Sequence, residues 1–401
     1  MSEEIAYPAL YLKRGEDARL RAGHLWVFSN EVDVKRSPLT AFQPGDHCVI
    51  ADTHAKPLGI GYVNPASLIA ARLVNRGIAH AFDASLIVHK LKIALGLRER
   101  LFAEPYYRLV FGEADGLPGL VVDRFGDVLV GQITTAGMER MKDDIATALI
   151  KVVKPTAIVW KNDTGIRAME GLTNYADIGY GELSAPVIAR EGGLEFRIDP
   201  IGGQKTGWFY DQRSNRDQLA TYVRGKRVLD VFSYLGGWGL RAAAAGASDV
   251  VCVDASASAV EATEDNAARN GLVDRVHAVK AEAFEYLKSL RDAREHYDVV
   301  ILDPPAFVKR KKDFAEGRIA YRRINEMAMQ ILAKDGILIT ASCSYHMPRA
   351  ALLDAVQQGA RHLDRNVQVL SQLQQAPDHP VHPAIPETDY LKGYICRVLP
   401  A

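Results

Sequence analysis

From residue 186 onward the sequence alternates between short apolar runs and longer runs with helical spacing. In order they read "RVLDVF", "LRAAAAGA", "DVVCVD", "SAVEATEDNAARNG", "RVHAVK", "AFEYLKSLRDA", "YDVVILD", "RRINEMAMQILAKDG" and "ILITASCS". Strands that read as unbroken apolar runs have both faces covered, and helices between them supply the cover. The alternation predicts an α/β domain over 186–401, with a parallel sheet, helices on both faces and a ligand at the carboxyl ends of the strands.

Two other patterns precede it. Residues 1–72 hold the strand-like runs "HCVIAD" and "ASLIAARLV", separated by the turns "QPGD" and "KPLG", as in a small barrel or sandwich. The opening, "LKRGEDARLRAGHLWVFSNEV", sets Lys13, Arg14, Arg19 and Arg21 ahead of Trp26 and Phe28. Basic and aromatic residues so interleaved could hold phosphates and stack on bases. A solvated basic turn beside a core Trp explains the same stretch. Over 73–185, "DASLIVHKLKIALGLRERLF" places Leu86, Ile87, Lys90, Leu91, Ala94, Leu95 and Leu101 mostly on one helical face. "YRLVFGEADGLPGLVVDRFGDVLVGQIT" then reads as strand, turn and strand, and "AIVWKNDTG" as a further strand. Turn chemistry explains Glu113, Asp115 and Asp123 as well as catalysis does.

At 401 residues the chain exceeds one ordinary core. Lys plus Arg equals Asp plus Glu at 49 each, so any affinity for nucleic acid must come from local patches. Cys48, Cys252, Cys343 and Cys396 are far apart with no CxxC pair, which argues against zinc and disulfides and suits a reducing cytoplasm. "MSEEIAYPAL" lacks the features of a signal peptide, and no apolar run approaches the roughly 20 residues of a membrane span. We expect a cytoplasmic protein with no metal and no membrane partner.

"VLDVFSYLGGWGLRAAAAGA" is a strand, a glycine turn and a helix, and Asp254 follows Gly236 by eighteen residues. An acid at about that distance can accept both hydroxyls of an adenosine ribose. Asp230 ends the first strand, Glu282 the third, where it could lie near the adenine, and Asp303 the fourth. Four acids on successive strand ends make one rim. The glycine spacing is not the GxGxxG of a dinucleotide site, whose pyrophosphate sits on the helix N-terminus. An acidic rim suits a cationic ligand without phosphate, and S-adenosylmethionine fits.

This segment resembles a class I methyltransferase domain, Rossmann-like in fold, with Asp230 to Gly239 as its first motif and Asp254 as the ribose acid. That resemblance implies cofactor contacts at Asp230, Ser233, Tyr234, Gly236, Asp254, Glu282 and Asp303. "DPPAF" looks like the loop that holds the base to be methylated: Pro304 and Pro305 would stiffen it and Phe307 could stack on the base. Residues 1–72 resemble a PUA domain, an RNA-binding β-barrel, most specifically at the Arg before "GHLWVF".

The order of "RLVFGEADGLPGLVVDRFGD", "GQKTGWFYDQRSNR", "DVFSYLGGWG", "DPPAF", "SCSYHM" and "ETDYLKG" is similar to that of the large-subunit ribosomal RNA methyltransferase I family, which makes 5-methylcytosine. Carbon 5 of a pyrimidine is too weak a nucleophile to take a methyl group directly. A thiolate adding to carbon 6 makes carbon 5 enolate-like, and loss of the carbon 5 proton with elimination of the thiolate completes the exchange. By the resemblance Cys343 is that nucleophile, and Asp303 would hold the exocyclic amine or the protonated N3 of the cytosine. Many RNA cytosine-5 enzymes carry a second cysteine after the proline pair, where this chain has Ala306. The resemblance also lays "GQKTGWFYDQRSNR" over the cofactor, with Lys205, Thr206 and Phe209 as contacts, and implies a homodimer.

Between Lys309 and Arg323, "KRKKDFAEGRIAYRR" holds seven basic residues and two acidic ones. Beside a base-holding loop, Lys309, Arg310 and Lys311 could bind phosphates, with Arg14 and Arg21 as a second grip on ribosomal RNA. The target cytosine would have to leave its stack to be reached. Two other readings stand beside this one: a methyltransferase acting on a guanine or adenine nitrogen, with Cys343 incidental, and a non-catalytic RNA-binding factor.

Overall fold

The computed structural model describes residues 7–401, so "MSEEIA" lies outside the described residues. The chain forms two compact units. The first takes the described part of Met1–Ala189 together with Ile198–Tyr210 and Pro377–Thr388. The second takes Arg190–Arg197, Asp211–Ala376 and Asp389–Ala401.

The first unit contains two five-stranded sheets. One joins Ala9–Tyr11, Asp46–Ala51, Pro57–Val63, Ile69–Asn75 and Trp26–Phe28 in that spatial order, around a core of Leu10, Leu20, Val27, Ile50, Val63 and Leu73. The other runs Tyr106–Phe111, Leu120–Phe125, Val128–Ile133, Ala157–Asn162 and Tyr175–Gly181, neighbours in sequence being neighbours in space. The helix Ala84–Leu101 covers it, started by Asp83, whose carboxylate accepts the Ser85 and Leu86 amides. Its buried stripe is Leu86, Ile87, Leu91, Ala94 and Arg98. Leu101, expected on that stripe, is 42% exposed at the helix end, while Arg98 turns inward. Arg98 can do so because Asp115 takes its guanidinium through two bonds of 2.6 and 2.7 Å, and the Ala94, Arg108 and Asp378 carbonyls accept from it as well. These bonds, with that from the Arg108 amide to Asp378 Oδ2, give Pro377–Thr388 its place in this unit. Glu113 accepts the Trp26 indole and Asp123 pairs with Arg108, so the three acids of this segment have structural partners.

The second unit is built on β1 (Arg227–Val231), β2 (Asp249–Asp254), β3 (Val276–Lys280), β4 (Tyr297–Leu302), β5 (Leu332–Ser342), β6 (Arg365–Gln374) and β7 (Lys392–Pro400). The sheet order is β3-β2-β1-β4-β5-β7-β6. The first five strands are mutually parallel, and β7 runs antiparallel between β5 and β6. The intervening helices are α1 (Arg213–Val223), α2 (Gly237–Ala244), α3 (Ala257–Arg269), α4 (Ala283–Asp292), α5 (Phe314–Gln330) and α6 (Arg349–His362). Leu229, Val231, Val253, Val300, Leu302, Ile324 and Leu338 are buried together in its core. The chain reverses direction in the sheet beside β1, where β2 leads one way and β4 the other, and such switch points are where open α/β sheets bind ligands. Helix α2 lies close on β2 because Gly239 has no side chain: a Cβ there would stand 2.2 Å from Cys252 Sγ.

Candidate active site

Parallel strands deliver their carboxyl ends to one edge, and the rim expected from the sequence assembles there. Asp230 is the penultimate residue of β1 and Asp254 the last of β2, while Asp303 and Cys343 each stand one residue past β4 and β5. Glu282 lies two residues beyond β3 rather than ending it, at the start of α4, where it is exposed. The Ala281 amide before it bonds to the Asp254 carbonyl, which keeps this end beside β2.

The turn after β1 is strained, and its strain is held by bonds. Phe232, Tyr234 and Gly236 have positive φ of 67°, 49° and 79°. The left-handed region costs a side-chain-bearing residue roughly 1–2 kcal/mol. The Phe232 and Ser233 amides both donate to the Val253 carbonyl, at 2.9 and 3.0 Å, and the Tyr234 amide donates to Asp254 Oδ2 at 2.9 Å. Asp254 Oδ1 accepts the Ser256 amide at 2.9 Å. A carboxylate has about four acceptor sites, so Asp254 can still take both hydroxyls of a ribose.

Asp230 is completely buried. Its Oδ2 accepts the Gly239 amide at 2.9 Å, and its Oδ1 has no hydrogen-bond partner among the described residues. Burial pushes its carboxyl up to about 7, against the pull of the Gly239 amide, and the nearby Asp303 adds to the rise. Asp303 is half-buried, with Oδ1 accepting from Gln212 Nε2 at 2.9 Å and Oδ2 from Trp238 Nε1 at 3.0 Å. Burial raises it to about 6, partly offset by the Trp238 bond. An orphaned buried carboxylate oxygen and two acids raised mainly by burial form a site that gains from a cation. S-adenosylmethionine, cationic at sulfur and amine with a ribose diol, fits: Asp254 would take the diol, and Asp230 and Asp303 would face positive charge.

Gln212 and Trp238 were not singled out from the sequence. Trp238 stands inside the quoted "GGWG", an indole donor among glycines, and Gln212 lies in "GQKTGWFYDQRSNR". From that segment the sequence pointed to Lys205, Thr206 and Phe209, which belong to the first unit. There Thr206 is wholly buried and its hydroxyl donates to Asp123 at 2.5 Å, while the Lys205 ammonium lies 4.7 Å over the Phe209 ring.

Cys343 is half-buried, and its Sγ lies 4.0 Å from the Pro304 carbonyl oxygen of the "DPPAF" loop. The other three thiols are buried: desolvation pushes Cys48 and Cys252 far up and Cys396 up to about 12. Only Cys343 combines exposure with the rim. Its neighbours are pinned by Tyr321 of α5, whose hydroxyl bonds Ser342 Oγ at 2.8 Å and Ser344 Oγ at 3.0 Å. Ser344 Oγ also accepts the Val308 amide at 3.2 Å, tying the cysteine turn to the "DPPAF" loop. In that loop Pro304 is buried and Pro305 exposed, while the Phe307 ring packs 4.9 Å from Tyr321 and 6.4 Å from both Phe232 and Phe284. Phe307 is half-buried among these aromatic neighbours.

The basic run divides between the stretch that precedes α5 and α5 itself. Lys309, Lys311 and Lys312 are exposed with no ion-pair or hydrogen-bond partner among the described residues. Arg310 pairs with Asp313 at 3.0 Å, and Arg318 and Arg322 pair with Asp354 and Glu326. Tyr321, read within the same solvated run, is fully buried. In the first unit Arg21 is likewise engaged, by Asp17 at 2.5 Å and Asp52 at 2.7 Å, whereas Arg14 is exposed.

Among the described residues there is no cluster of potential metal ligands, and no helix is long and apolar enough to cross a membrane.

Comparison with known proteins agrees with this geometry. The model of the S-adenosylmethionine-dependent methyltransferase family matches residues 180–391, and a PUA-like domain matches residues 10–76. The crystal structure of SMU.776, described as a methyltransferase and complexed with SAH, superposes with a TM-score of 0.83 at 20% identity, covering 97% of this chain and all of that one. That match establishes the shared fold. "Ribosomal RNA large subunit methyltransferase I" of Shewanella denitrificans is 38% identical over 392 residues, 96% of this chain and 98% of that protein. The protein of the same name from Photobacterium profundum is 37% identical over 395 residues, 97% and 99% of the two chains. With a class I fold, an acidic rim suited to S-adenosylmethionine and full-length relatives of one name, the chain belongs to the ribosomal RNA large subunit methyltransferase I family and is an S-adenosylmethionine-dependent methyltransferase.

Proposed function

We propose that this enzyme methylates carbon 5 of a cytosine in large-subunit ribosomal RNA through a covalent adduct to Cys343. The observation that carries the reading is the Cys343 thiol, half-buried on the rim and 4.0 Å from the Pro304 carbonyl of the base-holding loop. The ribosomal substrate follows the relatives' name.

The Cys343 thiolate gives its electron pair to carbon 6 of the base, and the 5,6 double bond opens toward carbon 5. S-Adenosylmethionine supplies the electrophilic methyl that carbon 5 takes, its sulfonium leaving as a neutral thioether. A base then takes the proton from carbon 5, and the C–H electron pair restores the double bond. The carbon–sulfur bond breaks with its electron pair returning to Cys343, and N3 gives its proton back to Asp303. Asp303 meets the charge that addition pushes into the ring. With a carboxyl at about 6 it carries a minority of protons at neutral pH, and negative charge at N3 recruits one. Ionised, it accepts from the exocyclic amine.

Residues 1–72 are proposed as a PUA-like grip on RNA, 73–185 as the central α/β domain and 186–401 as the catalytic domain, working as a homodimer in the cytoplasm. The test is transfer of labelled methyl to unmodified large-subunit RNA by wild type and Cys343→Ala, followed by nucleoside mass spectrometry. Production of 5-methylcytosine by wild type and none by the variant is expected. A methylated purine, made equally by the variant, would sink the reading.

A further inference from the structure

Lys392 opens β7 and is 5% exposed. The antiparallel register sets it opposite Ser342, the residue before Cys343. Its ammonium donates to the Ser344 carbonyl, the residue after Cys343, at 2.7 Å. No other hydrogen bond from this ammonium is found among the described residues. A cation is thus held inside the protein against the carbonyl of the residue after Cys343, with only one of its three protons used.

Such a placement is costly to a lysine unless an anion shares the space. The charged and titratable groups that act on it are Asp389 just before its strand, Arg349 at the start of α6 and Cys343 itself. Asp389 is exposed, so water screens it, and Arg349 repels. Burial draws the Lys392 ammonium down to about 8, while Asp389 and an ionised Cys343 draw it back up. Among the described residues, Asp389 and an ionised Cys343 are the anions that act on this charge, and of the two only Cys343 is partly removed from bulk water.

We propose that Lys392 is the positioning residue of the cysteine: its ammonium is the counter-ion of the Cys343 thiolate and pins the Cys343–Ser344 turn through the Ser344 carbonyl. The assignment rests on Cys343 being the nucleophile. It gives the thiolate a cationic partner, a role that the acids of the rim cannot fill. It also serves the last step, in which the electron pair returns to sulfur and the leaving thiolate again meets a cation.

The experiment measures the rate of iodoacetamide alkylation of Cys343 against pH in the full-length protein, by peptide mass spectrometry, without RNA. Wild type, Lys392→Met and Lys392→Arg are compared. The wild-type midpoint should lie below the ordinary thiol value of about 8.5. Lys392→Met should raise it by about one unit, which slows alkylation at pH 7 about tenfold, and Lys392→Arg should restore most of the loss. In methyl transfer the acid limb of the pH profile should move up with the same variant. An unchanged midpoint in a folded Lys392→Met protein overturns the proposal. So does a wild-type midpoint at or above 8.5, a measurement that needs no variant to fold. If methylation survives in Cys343→Ala, the nucleophile reading falls and this role with it, whatever the alkylation shows.

Discussion

Replacing Asp230 with Asn should stabilise the ligand-free protein, and by an amount that grows with pH. Asp230 is completely buried with one carboxylate oxygen unpartnered, and its carboxyl stands at about 7 against an ordinary 3.8. The folded protein therefore holds this proton to higher pH than the unfolded chain does. Folding takes up a proton between the two values, so stability falls as pH rises through that window and levels off above about 7. The full difference corresponds to about 4 kcal/mol, of which roughly 2–3 kcal/mol develops between pH 5 and pH 8. The Asn amide keeps an acceptor for the Gly239 amide and carries no charge at any pH. Its own packing and hydrogen-bond offset is constant, so the slope isolates the carboxylate. Scanning calorimetry of both proteins without ligand at pH 5, 6, 7 and 8 should show the melting-temperature gap widening in favour of the variant by roughly 2–4 °C. Saturating S-adenosylmethionine should narrow that gap, because a cationic ligand favours the ionised acid only in wild type. A gap that is flat with pH, or that widens toward acid, would refute the account of Asp230 as an acid raised by burial.

Gly239→Ala should destabilise the protein by about 1–3 kcal/mol, as overpacking does, because the new Cβ would stand 2.2 Å from Cys252 Sγ. Adding Cys252→Ala should recover part of the loss, and equilibrium unfolding of the two single variants and the double variant checks the coupling. Changing Lys309, Lys311 and Lys312 together to Ala should weaken RNA binding more at low salt than at high. It should also flatten the plot of log affinity against log salt by up to about two units, as filter binding at several salt concentrations would show, with thermal stability unchanged.

Local sequence determined much of this protein because its strongest signals are local. Alternating apolar runs specify a parallel sheet wherever both faces must be covered, and the parallel strands carry Asp230, Asp254, Asp303 and Cys343 to one edge without further instruction. Glu282 came close, displaced by two residues into the start of a helix. The side chains that decide what these groups can do come from elsewhere in the chain. Trp238 and Gln212 reach Asp303 across 65 and 91 residues, Tyr321 reaches Ser342 and Ser344 across 21 and 23, and Lys392 reaches Ser344 across 48. No periodicity encodes such meetings, so the sequence alone could read "KRKKDFAEGRIAYRR" as a solvated surface although its Tyr321 is fully buried. Charge state belongs to the same class. A carboxylate has its ordinary pKa until folding removes its water and sets its neighbours, so sequence determined which acids stand on the rim, and only the tertiary structure decided which of them hold a proton near neutrality.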